Sequence, residues 1–473
     1  MPAPRKKTFR KTSRPGGRGG ARRPRESRGP RTGRSVAVDH VERLVRRFPD
    51  LPLDPVDFSG LEPREASLAH SIVDAVTRRW LLLEYLLQQG LNKELRELEP
   101  RVRAILLCGA VQMMFFDRVP VRASIHEAVE QGKRCRRDAG GLVNAAMRRL
   151  QEILCEDDSA EVVREDGVSD ARNRIVTSNG RSVVLTRDGL PEDRMHRLSL
   201  VSSCPVELLR VLSRSMSLEE VRHVALHSIG LPSTVFRTSF AREPLDPSLF
   251  QAHEVAGHHV FVGGYRELRE TLAERDDVWV QDSASSAAVD SVSDLSPSLI
   301  VDVCAGKGTK TRQLSHVFPG ARIVATDVSE ERWGLLRDAF EGHERVEVVP
   351  FGDLDGLAQQ AELILLDVPC SNTGVLARRV EARYRAGDRE KLEGLVRIQR
   401  QIIADAMRLL APGGAVLYST CSLDPRENEE QLEWASRWHS LEIERVGRRL
   451  PAGGPGQAEA LYADGSFSGV LRG

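Results

Sequence analysis

The stretch "LIVDVCAGKGTKT", Leu299 to Thr311, decides the fold. A short, continuously apolar run ends in an aspartate. A glycine-containing turn and the start of a helical pattern follow at once. An apolar run of this kind reads as a strand buried on both faces, the strand type of a parallel sheet covered by helices. Gly306 and Gly308 let the backbone approach a ligand closely, and a helix N-terminus supplies free N–H groups. The pattern is neither a P-loop, because "GTKT" lacks the Gly-Lys-Ser/Thr ending, nor a clean G-x-G-x-x-G.

Reading outward, strands and helices keep alternating. "RIVATD", "RVEVVPFGD", "AELILLDVPC" and "AVLYSTC" read as strands. Helices are expected from Thr311, from Ser329 and around "LVRIQRQIIADAMRLLA". The expected fold class is therefore an α/β Rossmann-like domain over 291–473. Ligands of such sheets bind beyond the carboxyl ends of the strands. The features there run in order: the glycine turn, then Asp327 closing the second strand, then Asp353 closing the third. An acid about twenty residues after the turn is positioned for a ribose diol. With no phosphate loop, S-adenosylmethionine fits better than a dinucleotide.

Two more strand ends carry cysteines. "LLDVPCSNTG" brings Asp367 and Cys370 to the fourth, and "YSTCSLDPREN" brings Cys421 to the fifth. A structural cysteine is usually a small buried hydrophobe. A thiol at a polar loop mouth is better suited to act as a nucleophile. Thiolate, carboxyl and methyl donor together suit one reaction. Addition of the thiol to C6 of cytosine makes C5 nucleophilic enough to take a methyl group. A carboxyl at N3 assists, and the base must leave its stack to reach the pocket.

Upstream, "EASLAHSIVDAVTRRWLLLEYLLQQG", "EPRVRAILLCGAVQMMFF", "SIHEAVEQGKRC" and "GGLVNAAMRRLQEIL" repeat apolar residues at helical spacing, with Ser124 as N-cap of the third. These define an all-α domain over 37–155. Residues 156–196 read as an insert or linker with a hairpin around Asn179-Gly180. Residues 197–290 read as a linking subdomain. The 473 residues carry no net formal charge. The balance is uneven: residues 1–34 hold 13 Lys/Arg and one acid, against 55 basic and 67 acidic residues in the remainder. Residues 1–36 are expected to be a disordered basic tail with affinity for a polyanion. Seven cysteines without CxxC spacing exclude a zinc knuckle and point to a reducing cytoplasm, and no metal is expected. The start has no apolar signal region, and the longest apolar stretch, Ile105 to Phe116, is too short to cross a bilayer.

"LLDVPCSNTGVLARR" and "VLYSTCSLDPRENEEQ" resemble the two signature motifs of RNA cytosine-5 methyltransferases of the NOP/Sun type. "VWVQDSASSAAVDSV" resembles the segment leading into their catalytic domain. "ILLCGAVQMMFFDRVPVRASIHEAVEQGK" and "GLVNAAMRRL" resemble the NusB-like RNA-binding domain of the bacterial RsmB-type subgroup acting on 16S ribosomal RNA. "LPSTVFRTSF" resembles the segment joining the two. The resemblance implies Cys421 as nucleophile, Cys370 as the cysteine assisting product release, and Asp367 at the cytosine and the cofactor. It implies that Cys304, Ala305, Gly306, Lys307, Gly308, Thr309 and Lys310 wrap the methionine part of S-adenosylmethionine, Asp327 the ribose and Asp353 the adenine side. The partner implied is RNA, ribosomal RNA first, and the protein is expected to be a monomer. The family's Cys-Ala-Ala-Pro-Gly-Gly-Lys reads "CAGKGTK" here, Asn372 replaces a smaller residue, and the usual Asp-Gly-Phe-Phe reads "DGSFSG". A transfer-RNA target and a catalytically silent RNA-binding factor are the alternatives.

Overall fold

The computed structural model of the protein describes residues 31–473 except 53, 137 and 156–160. The basic segment 1–30 lies outside the described residues. A capping box of Thr32 and Ser35 starts α1 (Gly33–Arg47), so 33–36 belong to this helix and not to the tail. The apolar periodicity continues through α2 (Pro63–Gln88), α3 (Pro100–Phe115), α4 (Val121–Cys135) and α5 (Ala139–Leu154). α4 begins earlier than its sequence suggests. Pro120 occupies the cap position, and Ser124 is buried inside the helix, not at its N-cap. The fixed φ of proline explains the earlier start.

The hairpin forms from β2 (Arg174–Val176) and β3 (Arg181–Val184), with Gly180 at φ +82°; β1 (Arg164–Asp166) adds a third antiparallel strand. It is not a free linker. Ile175, Val176 and Val183 enter the same core as Trp80, Leu107 and Met147 of the helices. Three helices follow, α6 (Arg194–Ser202), α7 (Val206–Leu212) and α8 (Leu218–His227). β4 (Thr234–Arg237), β5 (Phe250–Ala252), β6 (His258–Phe261) and β7 (Trp279–Val280) then make a small antiparallel sheet in the order β5-β6-β4-β7. Two more helices, α9 (Tyr265–Glu274) and α10 (Ser283–Asp290), complete this region.

The large sheet contains β8 (Leu299–Asp302), β9 (Arg322–Ala325), β10 (Val346–Val348), β11 (Ala361–Asp367), β12 (Leu410–Thr420), β13 (Glu442–Arg449) and β14 (Ser466–Arg472). Their order is β10-β9-β8-β11-β12-β14-β13. The first five are parallel, and β14 and β13 close the edge antiparallel. α11 (Thr309–Val317), α12 (Glu330–Ala339), α13 (Arg389–Met407) and α14 (Glu429–His439) cover it. Successive residues of one strand enter opposite cores. Ile364 and Leu366 pack with Ile403 and Leu432, whereas Leu363 and Leu365 pack with Leu314 and Leu336. This two-sided burial is why the strands read as unbroken apolar runs. The order reverses between β8 and β11, which opens a crevice at their carboxyl ends.

Candidate active site

The crevice is a cavity of about 1000 Å³ at those strand ends. From β8 come Asp302 and the loop behind it, of which Cys304, Ala305, Gly306, Lys307, Thr309 and Lys310 line the cavity. Gly308 does not. It sits at φ +85°, and a Cβ there would lie 2.5 Å from the Phe340 ring, so its role is packing beneath the loop. Gly306, at φ +60°, has nothing within 4 Å of a would-be Cβ and leaves its backbone bare towards the cavity. Asp327, after β9, turns back: its Oδ2 accepts from Gly306 N at 3.0 Å and its Oδ1 from Ser329 N at 2.8 Å. Ser329 caps α12, which leaves Asp327 free for the loop.

Asp353 departs from its expected place. β10 stops at Val348, and Asp353 lies exposed in a 3₁₀ turn, Phe351–Leu357. Pro350 explains this, since it has no N–H to continue the ladder. Phe351 and Leu354 of that turn, not Asp353, line the cavity.

The loops after β11 and β12 bring Asp367, Cys370 and Cys421 together. Lys310 Nζ, nearly buried, donates to Asp367 Oδ2 at 2.8 Å. Burial works against the Lys310 ammonium, but the Asp367 carboxylate outweighs it and raises the pKa; Cys421 is a further group favouring the charged amine. The Cys370 and Cys421 sulfurs are 3.2 Å apart. Asn372, in the left-handed region at φ +61°, donates from Nδ2 to Cys370 O at 3.0 Å and accepts from Cys421 Sγ at 3.2 Å. The hydrogen bond to Cys421 and burial push the Cys370 thiol well above its ordinary range. Burial does the same to Cys304, a half-buried wall of the cavity.

Several lining groups were not singled out from the sequence. Asp302 is fully buried; burial pushes its carboxyl up to about 7, while Thr311 Oγ1 donates to Oδ2 at 2.7 Å. The Cys304 backbone N–H also favours the Asp302 carboxylate, against burial. The only signal was an acid ending an otherwise apolar strand. Arg378 bridges Asp464 Oδ2 at 2.6 Å and Asp282 Oδ2 at 3.1 Å along the opposite wall, which joins the "DGSFSG" strand to the site. Among the described residues no helix is long and apolar enough to cross a membrane.

Residues 294–449 match the family model described as 16S rRNA methyltransferase RsmB/F, and residues 34–152 match the NusB family. The chain is 27% identical over 447 residues to ribosomal RNA small subunit methyltransferase B of Salmonella arizonae, covering 93% of this chain and 98% of that one. The same-named protein of Salmonella heidelberg is 26% identical over 408 residues, covering 85% and 89%. The crystal structure of the protein PH0851 superposes with a TM-score of 0.65 at 17% identity, covering 93% and 98%, and shares the fold.

The cofactor of this family is S-adenosylmethionine. The cavity fits it. Gly306 offers bare backbone to the cavity, and the Asp327 carboxylate lines it beside the glycine turn. Over its large sheet the chain thus matches the RsmB/F family of 16S rRNA methyltransferases, and over the helical bundle ahead of that sheet it matches the NusB family.

Proposed function

We propose that the protein methylates C5 of a cytosine in RNA, with 16S ribosomal RNA as the substrate, through a covalent adduct between Cys421 and C6. The observation that carries this reading is the pair of thiols 3.2 Å apart at the open edge of the sheet, beside the Lys310–Asp367 pair. The family description and the names of the Salmonella relatives support the choice of ribosomal RNA. The reading assigns the chain to the bacterial cytoplasm, as a monomer.

Cys421 Sγ, deprotonated, adds to C6, and the electron pair of the C5–C6 bond moves towards C5. Asp367, held by Lys310, faces the pyrimidine N3 edge and orients it. When bound, S-adenosylmethionine supplies the electrophilic methyl carbon that C5 takes up. A water-class base then takes the C5 proton, the C5–H electron pair re-forms the C5–C6 double bond, and the C6–Sγ bond breaks, freeing product and the Cys421 thiolate. Cys370 assists this last step, its raised pKa keeping it a thiol at neutral pH. The backbone around Gly306, with Cys304, Ala305, Lys307, Thr309 and Asp327, would hold the cofactor, leaving the cysteines to the base.

The test is transfer of labelled methyl to unmodified 16S and transfer RNA by wild type, Cys421→Ala and Cys370→Ala. Expected are labelled 5-methylcytosine in 16S RNA from wild type and none from Cys421→Ala, which still binds cofactor. Cys370→Ala should accumulate a covalent protein–RNA adduct. Normal turnover by Cys421→Ala would refute the assignment, and label appearing only in transfer RNA would move the substrate.

A further inference from the structure

Beneath the two thiols lies a carboxylate that the reaction scheme does not use. Glu427 has no exposed surface. Its Oε1 accepts from Ser371 N at 2.9 Å and Gln399 Nε2 at 3.0 Å. Its Oε2 accepts from the hydroxyls of Ser422, at 2.6 Å, and Ser371. Ser371 directly follows Cys370, and Ser422 directly follows Cys421. Gln399, from α13, also donates to Pro369 O at 2.9 Å, immediately before Cys370. The glutamate itself is fixed from behind. The buried Tyr418 hydroxyl donates to Glu427 O at 2.7 Å, and Asn428 Nδ2 donates to Ser422 O at 2.9 Å.

A buried carboxylate whose four donors are all neutral is a costly way to fill space, because an apolar side chain of similar volume avoids the desolvation. Burial indeed raises the Glu427 pKa. What an apolar side chain could not do is accept at once from both cysteine loops. We propose that Glu427 is a positioning residue of the methyl-transfer site: its carboxylate ties the loop after β11 to the loop after β12 and so holds the Cys370 and Cys421 thiols in contact. The proposal rests on the reading that both cysteines serve the base. Glu427 touches neither sulfur and acts through Ser371 and Ser422.

Phenylarsine oxide reports the thiol spacing without RNA. It condenses with two neighbouring thiols, forming two As–S bonds and releasing one water. Wild type should bind it tightly, and Cys370→Ala and Cys421→Ala should not. Glu427→Ala, folded by circular dichroism and competent in cofactor binding, should bind it at least about a hundredfold more weakly, since two-point capture is lost when geometry forbids it. Its kcat should fall about a hundredfold with little change in KM, the scale of a displaced reacting group. Glu427→Gln, whose carbonyl oxygen can still accept from Ser371 N and Gln399 Nε2 while its amide donates to the serine hydroxyls, should recover most of both. Should Glu427→Ala fail to fold, Ser371→Ala/Ser422→Ala carries the same expectation. Unchanged arsenical affinity, or unchanged kcat, in the folded variant overturns the proposal. If instead Cys421→Ala keeps methylating RNA while Glu427→Ala loses arsenical binding, the clamp stands and the assigned nucleophile fails.

Discussion

Asp302 is the residue where the site's chemistry and its stability conflict most plainly. Its carboxyl is fully buried and titrates near 7, against an ordinary 3.8, mainly because of burial. The folded state therefore holds the proton more tightly than the unfolded chain. Below pH 4 both states are protonated and the group costs nothing. As pH rises from about 4 to 7 the unfolded chain ionises first, so stability is lost across that window, and the full penalty is present above it. Asp302→Asn should thus stabilise the cofactor-free protein by roughly 2–4 kcal/mol at pH 8 and by little at pH 4. Thermal melts at the two pH values check this; an equal gain at both would show that the charge is not the cause. The same substitution should weaken cofactor binding, because Asp302 lines the cavity and anchors Thr311 at the start of the helix behind the glycine turn. Glu427 repeats the pattern in the thiol clamp, where a buried carboxyl is retained for what it holds.

At the scale of elements, the site is made by loops that interlock behind the strands. Gly374 N donates to Cys421 O at 2.8 Å, and Gly465 N donates to Gly374 O at 2.7 Å. The loops after β11 and β12 and the start of β14 thereby meet at one point. A Cβ on Gly374 would lie 2.5 Å from Gly465 O and 2.7 Å from Cys421 O, and both obstacles are backbone. Gly374→Ala should push the Cys421 loop outward, lowering kcat about a hundredfold while leaving cofactor affinity nearly intact, because the clash is with the backbone of Cys421 and Gly465 and not with the glycine turn after β8. Steady-state kinetics beside cofactor titration would show it, and wild-type turnover would mean that the loops yield. The parallel strands and the turn "CAGKGTK" were legible because two-sided burial leaves an apolar run and a ligand loop leaves glycines. Asp367, Cys370 and Cys421 were legible because chemistry-bearing residues ended such runs. Asp353 was misplaced because Pro350 stops the ladder early, a matter of one missing N–H. β13 carried no alternation, since "EIERVGRR" is a largely exposed edge strand. Glu427 and Arg378 could not be read at all, because Ser371, Gln399, Asp282 and Asp464 lie far from them along the chain.

For the whole molecule, the question is how the NusB-family bundle is joined to the catalytic sheet. The join is made by arginines on carbonyls. Arg383, fully buried, donates from Nη1 to Ser202 O at 2.7 Å and Arg78 O at 3.2 Å, and from Nη2 to Ser228 O at 2.7 Å and Leu376 O at 3.1 Å. Arg78 of α2 donates to Gly230 O at 3.0 Å and Ala377 O at 2.9 Å, and Arg79 to Val201 O at 3.0 Å. Burial, with the neighbouring Arg78 and Arg383, lowers the Arg79 pKa to about 9. Three parts of the chain thus meet at one junction: α2 of the bundle, the ends of α6 and α8, and the segment that follows the Cys370 loop. Such a junction ties the bundle to the segment that leads out of the Cys370 loop. Arg383→Met keeps the apolar stem but takes its donors from Ser202 O and Leu376 O, whereas Ser228 O keeps Arg78 Nη1 at 3.2 Å. It should cost about 1–3 kcal/mol for each carbonyl left unsatisfied. If the junction is what makes the molecule cooperative, calorimetry of the full chain should resolve two transitions for Arg383→Met against one for wild type. A single transition at the wild-type temperature would show that the apolar contacts of the bundle core with Leu200, Leu226 and Tyr384 suffice to join the two parts.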